Sequence, residues 1–225
     1  MAIRELLMAN TLRYQPSYRR NLPHIQPLGA TFFVTPRLYG SLPGAVLEQL
    51  HAETEQRLKA IKAIADPETR EAERYWVYKR QFGRLDALLD CATKGPMWLA
   101  EPAIATLLCE AFHYRDGRVY ELIAFCVMSN HAHVVFTPLC QKDGSSFALS
   151  QIMHSLKGYS AHKANGILGR EGHFWQEESY DHYVRDAQEL QRIVWYVLNN
   201  PVKAGLVDEW SKWPWTYWKY AELAA

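Results

Sequence analysis

The chain lacks any apolar run approaching the roughly 18–20 residues of a membrane span. Its opening stretch, MAIRELLMANTLRYQPSYRR, lacks the basic, apolar and small-residue progression of a secretory signal. A soluble cytoplasmic protein is therefore expected. Cysteine is scarce: four residues, at 91, 109, 126 and 140, none in C-x-x-C spacing and none beside a histidine in zinc-finger spacing. That argues against a zinc–cysteine site and for reduced thiols. Net charge is small as well, +1 from 25 Lys and Arg against 24 Asp and Glu, so the overall balance does not mark a nucleic-acid binder. The distribution is less even. In residues 1–40, Arg4, Arg13, Arg19, Arg20 and Arg37 stand against one acid, Glu5. Such an arm is either simply solvated or binds phosphate. Internal repeats and low-complexity segments are also missing.

What is present is 225 residues, 48% hydrophobic, enough for one ordinary domain with a real core. ATFFVTPRL (30–38) reads as a strand. Helical patterns follow at 43–61, at 67–90 behind an Asp66-Pro67 start, and at 102–115. The pattern then turns aromatic and β-branched. RVYELIAFCVMS (118–129) and HVVFTP (133–138) read as two strands, and the hairpin 118–137 as the centre of a sheet. Residues 146–165 read as a helix and 169–186 as extended. Residues 187–199 form a further helix, with Asp186 and Glu189 as a capping box and Pro201 as a stop. This order describes an α+β fold with helices packed on one face of an antiparallel sheet.

The segment SNHAHVVF raises a chemical question. Side chains at i and i+2 of a strand share a face, so His131 and His133 converge while Ala132 and Val134 point away. A lone histidine there is usually a satisfied core residue. Two on one face desolvate two polar rings together, which is harder to dismiss, although H-x-H alone names no chemistry. Some sixty residues later, in VWYVLNNPVKAGLV, Tyr196 and Asn200 stand at i and i+4 and share a helix face, about 6 Å apart at Cβ. An amide oxygen suits Mg²⁺ or Mn²⁺. Two imidazoles, one amide oxygen and open positions suit an ion that polarises phosphate, with the tyrosine as nucleophile. Tyr196 as a core aromatic and the Asn199-Asn200-Pro201 run as a helix stop are the plainer alternatives.

With these segments in order, the chain resembles the REP-associated tyrosine transposases, relatives of the single-tyrosine HUH transposases. RRNLPHIQPLGATFFVTPRL resembles the N-terminal signature, and AFCVMSNHAHVVFTP resembles the HUH strand, with Ala132 as the hydrophobic residue. LKGYSAHKAN with GHFWQEESYDHYVRD resembles the middle block. YVLNNPVKAGLV and WPWTYWKY resemble the tyrosine helix and tail. The resemblance covers residues 19–40 and 118–220. Region 43–117 departs from it as a helical insertion between the first two strands, and Pro36 departs from it by shortening the first strand at an edge.

The resemblance implies a ferredoxin-like HUH palm over residues 1–225, with 1–29 as a basic arm. It implies Tyr196 as nucleophile, His131, His133 and Asn200 as ligands of Mg²⁺ or Mn²⁺, and a 5′-phosphotyrosine intermediate. Single-stranded or hairpin DNA is the implied partner, with monomer and homodimer both open and a bacterial, nucleoid-associated location. Lys157, His162, Lys163, Arg170, Trp175 and Arg185 are candidates for phosphate contacts and stacking beside the site. Arg19, Arg20 and His24 are candidates for a clamp on a hairpin stem. Trp213, Trp215 and Trp218 make either a stacking platform or a tail packed on the core. A domesticated binder that no longer cuts is the second reading. A metal hydrolase using Asp181 as base is the third.

Overall fold

The computed structural model describes residues 26–222 in full, with the backbone alone of residues 18, 19, 23, 24 and 223. The chain divides into two compact units. One runs up to Tyr39 and from Trp98 onward, and the other is Gly40–Met97.

The first unit is built on a five-stranded antiparallel sheet. Its strands are β1 (Phe32–Thr35), β2 (Tyr120–Val127), β3 (Ala132–Pro138), β4 (Tyr180–Tyr183) and β5 (Thr216–Trp218), in the spatial order β4-β1-β3-β2-β5. The β2–β3 hairpin lies at its centre, as the aromatic and β-branched run 118–137 requires. Pro36 does end β1, because it has no N–H for the ladder. The strand is nevertheless interior rather than at an edge, since β4 pairs along its other side. The Pro36 carbonyl still accepts from Ala132 N at 3.0 Å, and an isolated bridge joins Arg37 to His131 beyond it. Of the extended stretch 169–186, Tyr180–Tyr183 forms a strand and Trp175 makes an isolated bridge to Leu38.

Helices α3 (Pro102–Arg115) and α4 (Leu149–Ile167) cover one face of the sheet. There Phe32, Val34, Leu122, Phe125, Val134 and Phe136 meet Ile104, Leu108, Phe112, Ile152 and Leu156 in one core. Burying each such side chain contributes roughly 1.5–3 kcal/mol. The α4 N-cap, Ala148, has no side-chain acceptor. Gln26 supplies one from far along the chain, its Oε1 accepting from Leu149 N at 2.8 Å and its Nε2 donating to Phe147 O at 2.7 Å. The opposite face of the sheet carries Phe33, Thr35, His131 and His133, and against it lies α5 (Ala187–Leu198). The second unit's bounds also differ from those of the helical insertion expected at 43–117. Residues 98–117 belong to the first unit, because the α3 side chains Ile104, Ala105, Leu108, Ala111 and Phe112 are part of the sheet's core.

The second unit is a helical pair, α1 (Gly44–Ile61) and α2 (Pro67–Asp90). Asp66 caps α2, accepting from Thr69 N at 2.8 Å. Glu53 and Arg84 form an ion pair across the two helices. A Cβ placed on Gly95 (φ 99°) would lie 2.9 Å from the Gly40 carbonyl oxygen, so the two ends of this unit meet at a point only glycine tolerates. The first unit closes in a matching way. Leu38 N donates to Asn130 O at 2.8 Å and Leu99 N to Ser129 O at 3.1 Å, so the chain leaves and re-enters it at neighbouring residues.

No helix among the described residues is long and apolar enough to cross a membrane.

Candidate metal and nucleophile site

Strand alternation sends His131 and His133 to the sheet face that α5 covers, and both are buried. Each ring is held by its Nδ1. Asn130 Oδ1 lies 2.7 Å from His131 Nδ1, and a carbonyl oxygen can only accept, so that nitrogen donates. Thr35 Oγ1 lies 2.9 Å from His133 Nδ1. The two Nε2 atoms are thereby aimed at one another, 3.1 Å apart.

The tyrosine comes from α5. Asp186 starts this helix by accepting from Glu189 N at 2.8 Å. The Glu189 side chain bonds Arg185 N at 3.0 Å, one residue before the cap, and its other oxygen lies 3.2 Å from His182 Nε2 on β4. The helix start is thus clasped to the sheet. Seven residues on, the Tyr196 ring meets His133 edge-on, 5.6 Å between centroids, and Phe33 at 6.1 Å. One further turn brings Asn200, the first residue of the short helix α6 (Asn200–Lys203). Asn200 is 0% exposed, and neither its Oδ1 nor its Nδ2 has a hydrogen-bond partner. A buried amide left so costs about 1–3 kcal/mol.

These residues fit a small divalent ion. Neighbouring ligands on an octahedral ion with bonds of about 2.1 Å sit about 3 Å apart, which is the separation of the two imidazole nitrogens. The orphaned amide offers the oxygen donor that such an ion prefers.

Two further groups stand here that sequence reasoning passed over. Lys203 holds its Nζ 5.6 Å from the centre of the Tyr196 ring. Its signal is the N-P-V-K run, in which the long side chain leans back toward the helix start. Arg37 had been counted only as part of a basic arm. It is buried and bridges His131 across the ladder. Burial pulls its proton affinity below the ordinary value, opposed by the charge of Glu178.

The remaining candidates divide. Lys157 is anchored through Nζ to the carbonyls of Gln176 and Glu177 at 2.9 and 3.0 Å. Arg170 lies over the Trp98 ring at 3.9 Å and donates to Asn165 Oδ1 at 2.6 Å. Trp175 is buried and donates to Ser160 Oγ at 2.9 Å. His162 and Lys163 are exposed, but on α4, across the sheet from Tyr196; Arg185 is exposed at the start of α5. Arg20 lies outside the described residues, as do the side chains of Arg19 and His24. Asp181 pairs with Val34 and so points to the face opposite the histidines, which removes it as a base for a metal held there. Of the tail tryptophans, Trp213 and Trp215 are packed, and Trp218 meets Trp195. Trp213 donates to Val127 O at 2.9 Å and meets Trp215 edge-on, while Trp218 lies in β5.

Residues 104–200 match the family model described as Transposase IS200 like. A Haemophilus influenzae protein carrying the name of a REP-associated tyrosine transposase is 27% identical over 103 residues, covering 43% of this chain and 58% of that one. A REP-associated tyrosine transposase of Escherichia coli is 29% identical over 100 residues, covering 44% and 55%. The matched stretch spans little more than half the length of these curated relatives. A solved structure of a REP-associated tyrosine transposase bound to a REP hairpin superposes with a TM-score of 0.44 at 19% identity, covering 90% of this chain and 82% of that one. By sequence, the segment that builds the central hairpin and carries His131, His133, Tyr196 and Asn200 matches the IS200-like transposase family model, and the resemblance of this chain to the REP-associated tyrosine transposases is borne out.

Proposed function

We propose that the chain is a metal-dependent nuclease and strand transferase for single-stranded, hairpin-forming repeat DNA, acting through Tyr196. One observation carries the reading: two buried imidazoles aim their Nε2 atoms together at 3.1 Å, directly beside a tyrosine ring. The unsatisfied Asn200 amide one turn beyond supports it.

In this reading the Tyr196 Oη attacks the scissile phosphorus in line. The new O–P bond forms as the bond from phosphorus to the 3′ oxygen breaks. The phenol proton is lost to solvent and the departing 3′ oxygen takes one up. A 5′-phosphotyrosine and a free 3′-OH result, ready for rejoining. Mg²⁺ or Mn²⁺ bound by His131, His133 and Asn200 would supply positive charge to the phosphate oxygens. The chain's own groups do the positioning. Asn130 and Thr35 fix the imidazoles, and Phe33 and His133 hold the phenol ring. Lys203 sets a cation along that ring, where negative charge develops as the phenol gives up its proton. His133 and Tyr196 of one chain meet, which supports action as a monomer.

The test is covalent capture. Protein, Mn²⁺ and a labelled hairpin oligonucleotide are resolved on a denaturing gel beside Tyr196→Phe. A metal-dependent protein–DNA band absent from the variant is the expected result. Tight hairpin binding with no band would make the chain a binder that does not cut. Neither band nor binding would overturn the DNA reading.

A further inference from the structure

A second feature of the tyrosine helix lies on its other side. Between α5 and the β2–β5 edge is a small slot of about 130 Å³. Ile123, Leu190 and Val194, all buried, form its floor. Its walls are the indoles of Trp195 and Trp218, 5.8 Å apart between ring centroids and inclined at 50°. Gln191 and Tyr220 stand at its rim. No lining residue is charged. Trp195 is 40% exposed although Val194, Val197 and Leu198 of the same helix are buried, and it is the residue next to Tyr196.

The size and chemistry of the slot select its occupant. A groove for an amphipathic helix must receive anchors over two turns, and this slot is too short for that. A phosphate would find no cation among the lining residues. A base inside a duplex has its faces stacked and cannot enter. Two indoles 5.8 Å apart and inclined at 50° leave no parallel gap between them, so an unpaired base lays its flat π-surface on the face of one with the other against its edge, and such stacking is tolerant of base identity. The Gln191 amide at the rim has both donors and an acceptor for a base edge.

We infer that the Trp195–Trp218 slot binds one unpaired nucleobase of the strand carrying the scissile phosphate, anchoring that strand across the tyrosine helix. The inference rests on the DNA reading of the site. Its energetic signature is that removing the base and removing Trp195 cost the same affinity once, not twice.

The experiment is an abasic scan. Hairpin oligonucleotides with unpaired flanks, each lacking one base, are titrated by fluorescence anisotropy against the Tyr196→Phe protein, which cannot cut. The same set is run with Trp195→Ala, Trp195→Phe and Trp218→Ala added. At one flank position the missing base should weaken binding about tenfold. That penalty should disappear in Trp195→Ala and Trp218→Ala and persist in Trp195→Phe, which keeps an aromatic wall. Additive losses at every position would overturn the slot while leaving Tyr196-dependent capture standing. A coupled position in a protein whose unmutated form gives no covalent band would uphold the slot on a non-cleaving binder. Absence of any DNA binding would overturn the slot together with the reading it rests on.

Discussion

Asn200 carries an amide that the surrounding protein does nothing to satisfy, and such a group is retained at a cost. Asn200→Leu should raise the stability of the metal-free protein by about 1–3 kcal/mol while abolishing covalent capture. Thermal melts with and without Mn²⁺ check both halves: the ion should raise the melting temperature of the wild type and leave that of the variant unmoved. Lys203→Gln should slow single-turnover capture on the order of a hundredfold, with Lys203→Arg keeping most of the rate. A nearly unchanged Gln variant would show that the cation over the Tyr196 ring plays no part. The cysteines give a simpler test. Burial pushes the Cys109 thiol up to about 12, so from pH 7 to 9 it stays protonated and inert. Cys126 is buried and Cys109 partly so, whereas Cys91 and Cys140 are exposed. A maleimide mass shift on native protein should therefore count two fast thiols, with four only after unfolding. At this scale the meeting of His131, His133 and Tyr196 was legible because it follows from simple periods, i and i+2 on a strand and one face of a helix. Arg37 and Lys203 were not, because their places depend on a β-bridge past a proline and on a helix restarted by another.

Among the elements, α5 was legible nearly to the residue, since Asp186, Glu189 and Pro201 mark its ends chemically. Its cap has a measurable weight. Asp186→Ala should destabilise the first unit by about 1 kcal/mol in denaturant melts and slow capture as well, because the same turn holds the start of the tyrosine helix against β4 through Glu189 and His182. A loss of stability with an unchanged capture rate would separate the cap from Tyr196 positioning. Strand β5 was hidden in WPWTYWKY. Its aromatic residues give no period that marks a strand, and only the pairing of Thr216–Trp218 with β2 reveals one. The start of α4 was illegible for a related reason. Its acceptor is Gln26, and no local pattern announces a cap drawn from so far along the chain.

For the whole molecule, the helical region expected at 43–117 and the compact unit Gly40–Met97 have different bounds. The α3 pattern looks like one more amphipathic helix after two others, and nothing local says which unit it buries its face in. The structure puts the division at residues 40–97. Replacing that segment with a short Gly-Ser linker should leave the first unit with a single cooperative melt, since Leu38 and Leu99 are fixed to adjacent residues, Asn130 and Ser129. Loss of folding would mean that the sheet depends on the helical pair for its stability.

The two closures, at Leu38 with Leu99 and at Gly40 with Gly95, also bear on the order in which the chain comes together. The helical pair is complete in sequence before any residue of β2 or β3 exists, and its contacts are local, so it belongs among the fast events of folding. Once it has drawn its own ends together, the tether between β1 and the central hairpin is short in effect, however many residues it contains. A loop's closing cost rises by only about 0.6 kcal/mol per doubling. Shrinking the effective loop from the whole insert to a few residues therefore spares about 2 kcal/mol when β1 docks on β3. A segment that contributes no strand to the sheet would thus speed its assembly.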